Sequence, residues 1–338
     1  VSRPILVARL DNIGDVLLAG PAVRAVAAHA DSVVMVAGPR GAAAANMLPG
    51  VDEVVQWCAP WIDPEPPPVT APAMTGFIDR VREIGPAGAV IFTSYHQSPL
   101  PLALLLRMAG VPRIAAISED YPGSLLDVRH RIDGDPPEPE RALSLARAAG
   151  FPLPRRDDGR LRVRTPLPDV SGRVGSQRYV VVHPGASVPA RQWPAFRSSA
   201  LVRALAATGR HVVVTGTAAE RDLTARVAGS DGLDLGGRTD LPQLAAVLAG
   251  ADVVVAPNTG PAHLAAAVGT PVVSLFAPVV RAARWAPYGV RSVVLGDQRA
   301  PCADTRARVC PVPGHPCLSH VTADDVLAAV DRLQEVAA

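Results

Sequence analysis

The sequence predicts an α/β protein of two doubly wound, parallel-sheet domains, and three observations carry that expectation. The chain has 338 residues, too many for one compact core and enough for two domains of ordinary size. Short valine-rich runs of the kind buried on both faces of a parallel sheet alternate with helical stretches. The alternation breaks in a proline-dotted region at 150–177 and then restarts.

In the first half, Ile5 to Leu10 reads as a strand, and the DNIGD turn leads into a helix packed through Val16, Leu17, Ala19, Gly20 and Val23. Strands are expected at Val33 to Ala37, Glu53 to Trp57, Ala89 to Thr93 and Arg113 to Ile117, with helices at Phe77 to Ile84 and Leu100 to Met108. The proline-dense text from Ala59 to Pro72 reads as an extended surface loop, a solvated connector or else an ordered lid. Gly150 to Gln177, with its charged RRDDGR run, is the expected interdomain linker.

The second half repeats the grammar. Strands are expected at Tyr179 to Val182, His211 to Thr215, Asp252 to Ala256 and Pro271 to Phe276. Helices follow near Ala195 to Ala207, Ala219 to Val227, Leu241 to Ala249 and Gly260 to Val268. The domains are therefore drawn at 1–165 and 166–321, followed by a terminal helix within 322–338. That helix, Thr322 to Val336, opens with a T-x-x-D cap and either packs locally or returns to the first domain.

Ala251 to Pro278 is the densest functional signal, a strand, tight loop, helix and strand in succession. Asn258 and Thr259 suit a helix N-cap, Gly260 lets backbone approach a ligand, and Pro261 fits the first helical turn. Such a terminus carries partial positive charge and free amide donors, so phosphate is its natural ligand. The alternative is an ordinary capped helix that binds nothing.

Composition excludes several classes. The formal charge is +2 with dispersed basic residues, which disfavours a nucleic-acid surface. All 33 basic residues are arginine, a bias expected of a GC-rich genome. No secretory leader is visible, and the apolar stretches Leu100 to Met108 and His263 to Ala277 are too short or too interrupted to span a bilayer. A soluble cytoplasmic protein without stable membrane insertion is expected. No G-x-G-x-x-G follows the first strand, which disfavours a dinucleotide-dependent dehydrogenase.

Five motifs, in order, resemble the heptosyltransferase family, glycosyltransferase family 9. They are RLDNIGDVL at Arg9 to Leu17, HPGASVPARQWP at His183 to Pro194, TGTAAE at Thr215 to Glu220, NTGPAHLAAA at Asn258 to Ala267 and RWAPYG at Arg284 to Gly289. The resemblance implies a GT-B architecture of two Rossmann-like domains facing across a cleft. It also implies inverting transfer without a catalytic metal or other cofactor, usually with ADP-heptose as the donor.

By that resemblance Asp15 is the general base that takes the acceptor hydroxyl's proton. From local sequence alone it is equally a cap of a helix beginning at Val16. Asp11 either orients Arg9 or the acceptor, or serves the turn. Arg191 stands where the family usually has lysine and would hold the donor's phosphates, with Ser187, Thr259 and Gly260 adding donors. Glu220 would bind the nucleotide's ribose, and Thr217 with Glu220 also forms a capping box; Leu241 is placed beside the nucleotide. His183 is expected to end its strand through hydrogen bonds and His263 to be a satisfied structural histidine. Asn258 is a departure, since the family commonly has aspartate contacting the donor sugar, and it leaves another nucleotide sugar open. Tyr95, His96 and Gln97 are acceptor contacts or part of a plain connector.

Cys302, Cys310 and Cys317 lie near His315 and His320, but their C-x7-C-x6-C spacing is not a standard pair of zinc knuckles. Reduced thiols are the expected state, with structural zinc the alternative. The acceptor is either a lipopolysaccharide-type glycan or a soluble natural product of aminoglycoside or nucleoside type. Two rivals from other classes are a sugar-nucleotide epimerase of the same architecture and a non-catalytic nucleotide-binding protein.

Overall fold

The computed structural model describes residues 3–335. The chain divides between Arg164 and Thr165 into two compact units. In the first, β1 (Ile5–Arg9), β2 (Val33–Ala37), β3 (Glu53–Gln56), β4 (Gly88–Ile91), β5 (Ile114–Ile117) and β6 (Val128–His130) form one parallel sheet in the order β3-β2-β1-β4-β5-β6. Ile5 lies in register with Val33 on one side and Gly88 on the other. The strand order reverses between β1 and β4, so the loops leaving their carboxyl ends open a crevice there. The helices are α1 (Ile13–Ala27), α2 (Ala42–Met47), α3 (Ala71–Ile84), α4 (Leu100–Met108) and α5 (Glu138–Ala148), and the core contains Leu6, Val36, Ile91, Leu102, Leu106 and Ile114.

Several expectations are corrected in this unit. α1 begins at Ile13, with Asn12 as N-cap, rather than at Val16. α3 begins at Ala71, before the expected Phe77, because Thr70 Oγ accepts from the Ala73 amide and Pro72 is tolerated in a first turn. The loop before it is not uniformly solvated. Asp63 donates its amide to the Ala59 carbonyl and lies 3.8 Å from Arg40, while Trp57 stacks on Phe77 at 3.9 Å. Beyond Asp63 the segment 64–70 is exposed. The expected linker is likewise part of the first unit up to Arg164, where Asp157 pairs with Arg24 at 2.7 Å and Leu161 is buried.

The second unit holds β7 (Tyr179–Val182), β8 (His211–Val214), β9 (Leu233–Asp234), β10 (Val253–Pro257), β11 (Val272–Leu275) and β12 (Ser292–Leu295), all parallel, in the order β12-β11-β10-β7-β8-β9. Counted from its own first strand this is the arrangement of the first unit, with the crevice between β7 and β10. Its helices are α6 (Ser171–Val174), α7 (Ala195–Ala207), α8 (Arg221–Ala228), α9 (Leu241–Ala249), α10 (Gly260–Ala267), α11 (Ala282–Trp285), α12 (Pro316–Ser319) and α13 (Ala323–Glu335).

Helix α13 does not leave this unit. It packs on α7 and on β10, β11 and β12, burying Val326, Ala329, Val330 and Leu333 at helical spacing. Thr322 and Asp325 form the predicted cap, with the Thr322 amide donating to Asp325 at 2.8 Å and the Asp325 amide to Thr322 Oγ at 3.1 Å. The helix's expected last residue, Val336, lies outside the described residues. Among those described, no helix is long and apolar enough to cross a membrane.

Candidate active site

In the first unit the crevice is filled by charge. Arg9, the last residue of β1, extends one guanidinium nitrogen, Nη2, to Asp11 at 3.0 Å, to Asp15 at 3.2 Å and to Ser94 Oγ at 2.9 Å. Ser94 in turn donates to Asp11 Oδ2 at 2.9 Å, and Gln97 Nε2 donates to Asp11 Oδ1 at 2.6 Å. The loops after β1 and β4 are thereby stitched together. Asp15 is the third residue of α1, where its Oδ2 accepts the Asn12 amide at 3.1 Å. The capping geometry is therefore present; Oδ2 also accepts from Asn12 Nδ2 at 3.4 Å, while Oδ1, bonded to Arg9, keeps a second lone pair.

Burial disfavours charge on Arg9, but Asp11, Asp15 and Glu138 outweigh it and hold the guanidinium above its ordinary pKa. Asp11 is pushed up, chiefly by burial, against the pull of Arg9. Of the expected acceptor residues, Gln97 joins this cluster. Tyr95 and His96 meet each other edge to face at 5.5 Å. Ser94, Glu138 and Arg141 were not expected here. Glu138 and Arg141 come from α5 across a long sequence gap, and only their EPER text, acidic at a helix start, hints at them.

In the second unit, the loop after β7 and the start of α10 meet at the crevice. Arg191 donates from Nη1 to the Asn258 backbone carbonyl at 3.4 Å, joining the two loops. Its short helical turn, Pro189–Arg191, is held by a clamp on Ala190, whose amide donates to the Arg308 carbonyl at 2.9 Å and whose carbonyl meets His315 Nε2 at 3.0 Å. Trp193 is buried and donates to the Val321 carbonyl at 3.2 Å.

Several polar atoms beside this junction have no partner among the described residues. Asn258 is only 4 % exposed, and neither its amide nitrogen nor its amide oxygen is hydrogen-bonded. Thr259 is the N-cap of α10, yet its hydroxyl makes no capping bond and is orphaned. His263 is not the satisfied structural histidine expected: Nδ1 lacks a partner, and burial, then the charge of Arg191, lowers its pKa to about 4. Unpartnered buried groups are rare in folded proteins, and here three residues of one loop and helix start, Asn258, Thr259 and His263, carry them together, where water or a ligand can supply the missing bonds.

Glu220 caps its helix as expected, Oε2 accepting from both the amide and hydroxyl of Thr217 at 2.8 Å. The same carboxylate lies over Gly185 so closely that a Cβ there would fall 2.0 Å from Oε1. His183 ends β7 with Nδ1 at 3.0 Å from Thr215 Oγ, and burial lowers its pKa to about 4 against the opposing charge of Glu220. Ser187 is exposed. Gly260 opens α10, while Leu241 opens α9 after edge strand β9, farther from the crevice than Glu220. Cys302 and Cys317 are buried thiols, and burial with neighbouring Cys302 and Cys310 pushes Cys317 up to about 12. Among the described residues, no group of three or more His, Cys, Asp or Glu is arranged to hold a metal ion.

The profile of glycosyltransferase family 9 (heptosyltransferase) matches residues 96–315, well over half of the chain. The chain belongs to that family. A lipopolysaccharide heptosyltransferase 3 of Escherichia coli is 34 % identical over 166 residues, 46 % of this chain and 47 % of that protein. The similarity thus spans about half the length of that curated relative. The structure of Escherichia coli ADP-heptose lipopolysaccharide heptosyltransferase II shares the fold with a TM-score of 0.75 at 21 % identity, covering 99 % of each chain. An Escherichia coli heptosyltransferase determined with ADP-2-deoxy-2-fluoro heptose gives 0.73 at 20 % identity, covering 97 % of this chain and 99 % of that one. Family 9 chains of this kind have the GT-B fold, and the paired six-stranded sheets are its two halves.

Proposed function

We propose that the protein is an inverting, metal-independent glycosyltransferase that moves heptose from ADP-heptose to an acceptor hydroxyl. The observation that carries this reading is the orphaned amide of Asn258 beside Arg191 and the start of α10. A sugar hydroxyl both donates and accepts, which is what an unsatisfied amide requires. The diphosphate would lie against Arg191, the Thr259 hydroxyl and the Gly260 amide at the start of α10, where positive charge and hydrogen-bond donors stabilise the leaving nucleotide. Glu220, with Oε2 committed to the cap, would offer Oε1 to the ribose, and Leu241 would flank the base.

Asp15 would accept the acceptor hydroxyl's proton as that oxygen attacks the anomeric carbon from the face opposite the leaving diphosphate. The first unit carries the acceptor and the second the donor in this reading, and a cytoplasmic location accompanies it. Family membership and a relative solved with an ADP-heptose analogue support the donor choice. Calorimetric titration with ADP-heptose, ADP-glucose, UDP-glucose and GDP-mannose tests it, alongside Arg191→Ala. ADP-heptose is expected to bind tightest and to weaken in the variant. Selective binding of another nucleotide sugar would reassign the donor, and binding of none would overturn the reading.

A further inference from the structure

We propose that Glu138 is a positioning residue for transfer, holding the Arg9 guanidinium in the orientation that restrains Asp15. This rests on the reading of Asp15 as the base. Glu138 is 2 % exposed in the first turn of α5, where its Oε2 lies 3.6 Å from Arg9 Nη1 and 3.6 Å from Arg141 Nη1. Arg141 Nη1 also donates to the Thr93 carbonyl, one residue before the Ser94 that binds Arg9 and Asp11. The contacts close a loop from Glu138 through Arg9, Ser94, Thr93 and Arg141 back to Glu138.

A purely structural role accounts poorly for this arrangement. Buried ion pairs are seldom more stabilising than apolar side chains of equal size, so packing of α5 on the sheet gives no reason to retain one. Its charge does give a reason. Three carboxylates, Asp11, Asp15 and Glu138, face two guanidiniums, Arg9 and Arg141, which leaves one negative charge in excess. Asp15 is the most accessible of the three carboxylates, with 15 % of its side chain exposed against 4 % for Asp11 and 2 % for Glu138. Excess charge is least costly where water reaches it, so the cluster places an anionic carboxylate at its accessible end.

Glu138 contributes twice to that outcome. It occupies Nη1 of Arg9, so that only Nη2 turns toward Asp15, and it supplies the charge that keeps Arg9 from fully neutralising Asp15. With glutamine at 138 the count becomes two against two, and Arg9 is free to swing onto Asp15. The base is then less well aimed.

The test uses the full-length protein with Glu138→Gln, Glu138→Asp and Asp15→Asn, reading ADP release from ADP-heptose with water as acceptor across pH. Glu138→Gln is expected to lower kcat about tenfold without changing KM for the donor. Glu138→Asp, which keeps the charge, should recover part of the loss, and it decides the matter if the glutamine variant does not fold. A second readout needs no substrate: Arg9 Nη resonances by NMR should show restricted guanidinium rotation in the parent and freer rotation in Glu138→Gln. Unchanged Arg9 rotation together with unchanged kcat overturns the role of Glu138. Full activity in Asp15→Asn instead overturns the assignment of the base.

Discussion

The two units share one strand order and place a crevice at the same point of the sheet, yet fill it in opposite ways. At the β1/β4 crevice the charged side chains meet one another: Arg9, Asp11, Ser94 and Gln97 are bonded together and Asp15 is tied to Arg9 and the Asn12 amide, leaving only Arg9 Nε, Thr93 Oγ1 and Glu138 Oε1 without a partner among the described residues. At the β7/β10 crevice, the Asn258 amide, the Thr259 hydroxyl and His263 Nδ1 have no partner among the described residues. A group that must act at one geometry is best held before substrate arrives, whereas a binding site keeps hydrogen-bonding capacity for its ligand. The same topology thus supports a preassembled charge cluster in one half and an open set of donors and acceptors in the other.

The largest expected effect separates the two halves. Asp15→Asn should lower kcat by about 10²–10⁴-fold while leaving the calorimetric affinity for the nucleotide sugar unchanged. A parallel loss of donor affinity would place Asp15 in the donor site and break the comparison.

Acidification should then act on the halves with opposite signs. His183 and His263 have folded pKa values lowered to about 4 from an ordinary 6.5, so between those values the unfolded chain binds protons that the fold refuses. Each costs the second unit about 3 kcal/mol as pH falls through that window. Burial raises Asp11 and Glu138, so the fold holds protons the unfolded chain has released, and this contribution to stability grows as pH falls toward the ordinary carboxylate range. Half-buried His130, itself lowered by burial, opposes that gain, and Asp127, Asp157 and Asp158, with lowered pKa values, add to the opposition once pH falls through the carboxylate range, below the 7 to 4.5 window. Hydrogen exchange of the intact protein from pH 7 to 4.5, corrected for intrinsic rates, should show β7 and β10 losing protection before β1 and β4.

Asn258→Leu sharpens the contrast at a single position. Removing two buried unsatisfied atoms should raise the melting temperature while weakening donor binding by about 1–3 kcal/mol. Ser94→Ala in the first unit, which breaks bonds already made, should lower it. The smallest effect is expected of Gly185→Ala: the new Cβ would displace the Glu220 carboxylate and weaken nucleotide affinity severalfold, with little change in stability.

Legibility followed the same division. The central strands announced themselves because burial on both faces demands runs such as VVVA, and the donor loops because their motif residues lie close in sequence. Edge strands β6, β9 and β12 were missed: VRH and LD are too short to show a period, and SVVL is only half-buried. Helix α5 opens with the proline-broken text EPER, which shows no apolar face at its start. Glu138 and Arg141 were therefore invisible, since their meaning lies in a contact with Arg9 that no local pattern encodes. Of the two readings of Asp15, the cap is observed, with Oδ2 accepting the Asn12 amide, and the base belongs to the proposed function. Asn258 drew notice as a departure in a motif, but the orphaning of its amide required coordinates.

The Asn258 side chain stabilises nothing within the protein itself, and this bears on how such a chain could change over evolutionary time. A residue whose polar atoms make no bond within the fold can be exchanged without loss of folding, so on the proposed reading drift at position 258 would alter which sugar is carried before it alters abundance or solubility. Arg9 has no such freedom, because each exchange there disturbs three carboxylates at once. On that reading, descendants of this sequence should diversify first in the sugar they transfer and only late in how they transfer it.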